Sequence, residues 1–110
     1  MKNNPLLKGS LSTIVLKLLE DGSRMYGYEI TQRVKAITSG EIHLTEGALY
    51  PTLHKLEAEG LLSTETEVVE GRARKYYQLT REGHTATAAR LSEAEAFLLS
   101  LNRILNPKLT

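Results

Sequence analysis

TEGALYPTLHKLEAEGLL, residues 45–62, carries Leu49, Leu53 and Leu56 at i, i+4 and i+7, which predicts a helix with one apolar stripe for a core. Thr45 is a suitable N-cap, because its hydroxyl can accept a hydrogen bond from a free N–H of the first turn, and Glu46 complements the positive helix end. The opposite side carries Gly47, Pro51, His54, Lys55 and Ala58, with Tyr50 at its edge and no carboxylate until Glu57 and Glu59. Small residues at the leading end, then hydrogen-bonding groups, suit a helix that enters a major groove, where bulk and negative charge would meet the phosphates. Pro51 removes one backbone hydrogen bond and crowds the carbonyl of Gly47, four residues back. Without a Cβ at Gly47 the first turn can deform and lie close to a surface. The pair reads either as a functional kink or as a distorted first turn on an ordinary helix.

Beyond this helix, residues 62–69 and 72–79 are rich in Thr, Val and Tyr, and Glu70-Gly71 between them supplies a turn, so a β-hairpin is expected. Arg72, Arg74 and Lys75 gather at or just past that turn, with Arg81 after the second strand. Phosphates are their natural partners, and such contacts would set register without reading sequence. The competing reading is a solvated face that balances Glu65, Glu67 and Glu70. Tyr76 and Tyr77 alternate faces, so at least one belongs in the core.

Upstream, Leu11, Ile14, Val15, Leu18 and Leu19 make a first helical face that stops at Asp21-Gly22. A second helix is expected from near Tyr26 to about Ser39, with Ile30, Val34 and Ile37 inward and Glu29, Gln32, Arg33 and Lys35 largely outward. Residues 42–44 leave room for a very short strand only, which gives the order α-α-β-α before the hairpin. At the start of the second helix the free N–H groups could hold a phosphate, with Tyr28 as a backbone contact. Alternatively, Tyr26 packs beneath the recognition helix and Gly27 makes room for a helix crossing.

From Thr80, a further N-cap, the pattern stays helical to about Leu105, where Asn106-Pro107 ends it. Roughly 25 residues span about 37 Å, more than the preceding domain needs. His84, Thr87, Leu91, Ala94, Leu98, Leu101 and Leu105 alternate spacings of three and four, an a/d seam that Phe97 and Ile104 widen. A second copy of the chain is the expected cover, and Leu6, Leu7 and an outward Leu16 on the first helix would also need cover. A helix folded back on its own domain is the alternative.

LYPTLHKLEAEGLL, the upstream MYGYEI at residues 25–30 and the downstream GRARKYYQLTREG at residues 71–83 together resemble the PadR family of bacterial transcriptional regulators, over about residues 7–105. The resemblance implies a winged helix-turn-helix in a mainly α chain with a small β-hairpin (α+β), a C-terminal dimerisation helix, and ligand-responsive control of a promoter. On that reading residues 1–80 bind DNA and residues 81–110 dimerise. The DNA contacts are expected at Gly47, Tyr50, Pro51, His54, Lys55, Tyr28, Arg72, Arg74 and Lys75. The homodimer interface is expected at Leu91, Ala94, Phe97, Leu98, Leu101, Ile104 and Leu105. Short members of the family also bind flat aromatic or lipophilic effectors between these helices. Here Leu91, Phe97, Leu98 and Leu101 would line such a pocket, without any tryptophan, or would simply close the seam. Repression by excluding polymerase is the default mode.

Composition limits the alternatives. In a chain of 110 residues with a formal net charge of only +1, positive charge must be concentrated locally if DNA is the partner. There is no cysteine, hence no thiolate metal site or disulfide framework. The N-terminal apolar run is interrupted by Lys8, Ser12, Thr13 and Lys17, and no membrane-spanning run appears, so a cytoplasmic protein is expected. His43, His54 and His84 are scattered and Asp21 is the sole aspartate, so neither an enzyme, a metal site nor a cofactor is expected. The rival from another class is a winged helix that binds a protein partner instead of DNA.

Overall fold

Three side chains set where the long helices begin. Asn4 Oδ1 accepts from the Leu6 N–H at 2.8 Å, Thr45 Oγ1 from Ala48 at 3.2 Å, and Thr80 Oγ1 from Gly83 at 3.0 Å. The computed structural model describes residues 4–109. In order along the chain lie α1 (Pro5–Leu18), β1 (Met25–Tyr26), α2 (Gly27–Ile37), α3 (Glu46–Ala58), β2 (Leu62–Val69), β3 (Arg72–Leu79) and α4 (Arg81–Leu105), then a 3-10 turn at Pro107–Leu109. The class is α+β, a winged helix with four helices and a three-stranded antiparallel sheet ordered β1-β3-β2.

The hairpin closes as its sequence requires. Val69 faces Arg72, so only Glu70 and Gly71 make the turn, at φ 50° and 77°. Positive φ at both central residues is the geometry that follows strand twist in a two-residue hairpin.

The third strand lies elsewhere than expected. Residues 42–44 form no strand; instead Met25 pairs with Tyr77 and Tyr26 with Tyr76. The Ile42 N–H donates to Thr38 Oγ1 at 3.0 Å, closing the end of α2, and Leu44 is buried beside Leu11 and Val34. The Ile42 donor and the side chains of Ile42 and Leu44 are thus committed to helix packing, while His43 stays exposed. A two-residue strand, for its part, is too short to leave a period in the sequence.

Leu49, Leu53 and Leu56 are fully buried, with Val15, Leu19, Ile30, Leu62 and Tyr77 in the same cluster. Leu16, expected to face outward, is also fully buried. A single-stripe reading suits a helix with one neighbour, whereas α1 packs against α2, α3 and α4 and hides more of its circumference. Ile37, expected inward, is 64% exposed, because the last turn of α2 faces an open groove rather than the core.

The first turns of α4 are held tightly. Gly83 and Thr87 are buried, Thr87 Oγ1 donates to the Gly83 carbonyl at 2.7 Å, and a Cβ at Gly83 would fall on the Leu61 carbonyl oxygen. Thr87, placed in the seam by its spacing, is therefore occupied within its own chain. Further along, α4 leaves the body of the protein. The extents are 57 × 30 × 21 Å and the radius of gyration is 15.4 Å, above the roughly 13 Å of a compact chain of similar length.

Candidate nucleic-acid interface

The solvent side of α3 is polar at its centre and bare at its leading end. Gly47, Pro51, His54 and Lys55 are exposed, and space around Gly47 is open to at least 4 Å from where a Cβ would stand. Pro51 sits inside the helix as its spacing requires. Tyr50 is only partly exposed, at 37%, because its ring lies on α2: a Cβ at Gly27 would stand 2.8 Å from the Tyr50 hydroxyl. Gly27 therefore does make room for a helix crossing, with the Tyr50 ring over it, whereas Tyr26 does not pack beneath α3 but lies with Tyr28, Arg74 and Tyr76. Burial, followed by the Glu46 carboxylate, raises the Tyr50 pKa, so at neutral pH the hydroxyl stays a neutral donor and acceptor. The ring is tilted against His54, with centroids 6.2 Å apart.

Strand alternation divides the hairpin cations between two faces. Tyr77 and Leu79 are buried, which puts Lys75 on the core side of β3 and Arg72, Arg74 and Tyr76 on the outer side. Lys75 accordingly reaches Glu57 of α3, with Nζ 3.3 Å from Oε1, and lies over the Tyr77 ring. Burial works against its ammonium, but Glu57 and Tyr77 together outweigh that and raise its pKa. Lys75 thus ties the hairpin to α3 and is set apart from Arg72 and Arg74.

The hairpin glutamates are matched from a different direction. Arg24, just before β1, places Nη1 3.2 Å from Glu65 and Nη2 2.5 Å from Glu67, with its guanidinium 4.4 Å over the Tyr76 ring. Arg74 lies 4.3 Å over the Tyr26 ring, and Tyr26 meets Tyr76 edge-on at 5.5 Å. An interleaved Arg and Tyr cluster thus covers the outer face, and Tyr28, 53% exposed, stacks on Tyr26 at its edge. With Glu65 and Glu67 held by Arg24, no acidic side chain among the described residues pairs with Arg72. Sequence reasoning did not single out Arg24. The signal was present in Glu65 and Glu67, which share a strand face and so share a counter-ion.

On α4, Leu91 and Ala94 are half-buried along a groove of about 760 Å³ between α1, the end of α2 and α4, a groove that Phe97 also lines. Phe97 and, past the groove, Leu98, Leu99, Ile104 and Leu105 are all at least 60% exposed, and Leu101 is half-buried. Among the described residues no three of His, Asp and Glu are grouped to hold a metal ion, and no helix is long and apolar enough to cross a membrane.

Comparison with known proteins agrees with this geometry. The model of the transcriptional regulator PadR-like family matches residues 15–89. The Mycobacterium tuberculosis transcriptional regulator Rv3488 is 56% identical over 43 residues, which span 39% of this chain and 40% of that protein. A Lysinibacillus sphaericus protein is 32% identical over 84 residues, 76% of each chain. Among solved structures, a transcriptional regulator from Clostridium thermocellum superposes with a TM-score of 0.82 at 27% identity, covering 94% of this chain and 97% of its own. A PadR family transcriptional regulator from Eggerthella lenta does so with a TM-score of 0.77 at 28% identity, covering 92% and 86%. Members of this family are transcriptional regulators rather than enzymes. With a winged helix from α1 to β3, an open polar face on α3 and a family match over residues 15–89, the chain belongs to the PadR-like family of transcriptional regulators.

Proposed function

We propose that the protein is a cytoplasmic homodimeric repressor that inserts α3 of each subunit into the major groove of an inverted-repeat operator and releases it when an effector binds. Residues 1–80 form the reading head and residues 81–110 the dimerisation arm. The observation that carries the reading is the exposed α3 face, free of carboxylates between Glu46 and Glu57, together with an Arg72 beside the hairpin turn that has no acidic partner among the described residues. His54 and Lys55 supply donors for base edges or phosphates, Gly47 and Pro51 allow close approach, and Tyr50 and Tyr28 border the surface. Arg72 and Arg74 serve the phosphates. Lys75 contributes by holding the hairpin against α3.

The case for a dimer rests on apolar surface: five large hydrophobic side chains lie open on α4, and the first of them, Phe97, lines a groove that also leaves Leu6 and Ile37 exposed. Contiguous patches of this kind mark interaction sites. Leu91, Ala94, Leu98, Leu101 and Leu105 form the seam, with Phe97 and Ile104 alongside. A flat aromatic or lipophilic effector held by Leu91, Phe97, Leu98 and Leu101 would act by binding more tightly to a dimer whose α3 helices are misplaced for DNA.

Replacing Arg72 and Arg74 together with alanine is expected to weaken operator and scrambled DNA alike. It should also flatten the dependence of log K on log[salt] by about 0.9 per lost phosphate contact. Titration of both duplexes across a salt series measures this, and unchanged binding would remove the hairpin arginines from the DNA interface. Gly27→Ala pushes against the end of a flexible side chain, so it should cost stability only about 1 kcal/mol. By displacing Tyr50 it should nonetheless lower operator affinity roughly tenfold. Thermal unfolding and DNA titration of the same sample separate the two effects.

A further inference from the structure

The open face of α3 continues beyond the helix itself. At 3.6 residues per turn, Glu57 and Tyr50 lie on one flank of α3, where they touch the hairpin and α2. His54 and Gly47 occupy the middle, and Pro51 and Lys55 lie on the opposite flank. That second flank forms one wall of an open cleft of about 1060 Å³ whose other wall is the N-terminal half of α1, carrying Lys8 and Ser12, with His43 before α3 also lining it.

The charge of this cleft is one-sided. None of its lining residues is Asp or Glu, in a chain with 13 acidic residues. Lys8, His43 and Lys55 are exposed, and none is paired with a carboxylate among the described residues, whereas Lys17, Arg24, Lys75 and Arg90 each have a glutamate. Converging cations without local compensation focus a field that draws anions. A helix seated in a groove about 12 Å wide has phosphates along both flanks. Arg72 and Arg74 can serve only the hairpin side.

We propose that this cleft is a second backbone-binding site, in which Lys8 contacts a phosphate on the strand opposite the hairpin and Ser12 and His43 donate hydrogen bonds to the neighbouring sugar-phosphate oxygens. It rests on the DNA-binding reading and extends it to α1. Because a lysine contacts phosphate as a point charge, the site adds affinity without sequence preference.

The test is the full-length protein, titrated with operator and with a scrambled duplex of equal length over a salt series, for the unmodified chain and for Lys8→Gln, Lys8→Arg and Lys35→Gln. Lys8→Gln is expected to lower affinity for both duplexes by the same factor and to reduce the salt slope by about 0.9 per subunit. Lys8→Arg keeps the slope, and Lys35→Gln, exposed on α2 outside the cleft, leaves it unchanged. A Lys8→Gln slope equal to that of the unmodified chain overturns the cleft site while the DNA-binding reading stands. Absence of duplex binding by the unmodified chain overturns both.

Discussion

If α4 pairs with a second copy as proposed, Leu98→Glu is expected to leave the chain monomeric and to lower affinity for an inverted-repeat operator by about 100-fold or more. Leu98 is 60% exposed in the single chain, so a carboxylate there meets water and leaves the monomer fold intact. Glutamate is also nearly as good a helix former as leucine. Within a seam shared with a second α4, the same carboxylate would be stripped of water without a partner, a cost of several kcal/mol. Two reading heads joined in one dimer gain about 10²–10⁴ in avidity over either alone, and that gain disappears with the joint. Sedimentation measures the mass and circular dichroism the retained helix. A dimer that persists in the variant would show that α4 pairs through another face.

Gly83→Ala should carry the largest cost in stability, about 3 kcal/mol, at the upper end of what overpacking produces. The added methyl would meet the Leu61 carbonyl oxygen, a backbone atom that cannot rotate away, and would press on Leu79. That carbonyl accepts the Thr80 N–H at 3.1 Å, and Thr80 Oγ1 in turn donates to the Gly60 carbonyl at 2.6 Å. Displacing Leu61 therefore disturbs the cap of α4 as well as the packing beneath it. For a chain of this size the midpoint of thermal unfolding should fall by about 15 °C, measured at fixed protein concentration. An unchanged midpoint would mean that the first turn of α4 is not seated on Leu61. The contrast with Gly27 is instructive, since there the obstacle is the end of the Tyr50 side chain.

Where one residue pattern controls one element, the sequence could be read directly. Thr45 and Thr80 cap the helices they were expected to cap, Leu49, Leu53 and Leu56 are buried, and the Glu70-Gly71 turn closes the hairpin. Illegible were the features decided by several neighbours at once. Leu16 is buried because α1 has three helical partners, and Ile37 is exposed because the end of α2 borders a groove. The strand at Met25–Tyr26 exists only through its pairing with β3.

The same division runs through the candidate site. The leading end and polar centre of α3 follow from helical spacing, and Gly47, Pro51, His54 and Lys55 share the exposed face. Arg72, Arg74 and Lys75 look equivalent in sequence, yet the two-residue period of the strand sends Lys75 to Glu57 and leaves the arginines outside. Pairing of Glu65 and Glu67 with Arg24 links residues about 40 positions apart; their shared strand face calls for a common counter-ion, but no local pattern says which one. The cleft between α1 and α3 is equally non-local, since Lys8 and Lys55 share it only after α1 has packed on α3.

Selection of duplexes from a random-sequence pool by the purified protein is expected to enrich an inverted repeat with half-site centres about 34 Å apart, one turn of the double helix, bound by two chains per duplex. A pool that emerges with its starting composition would rule out sequence-specific DNA binding by α3.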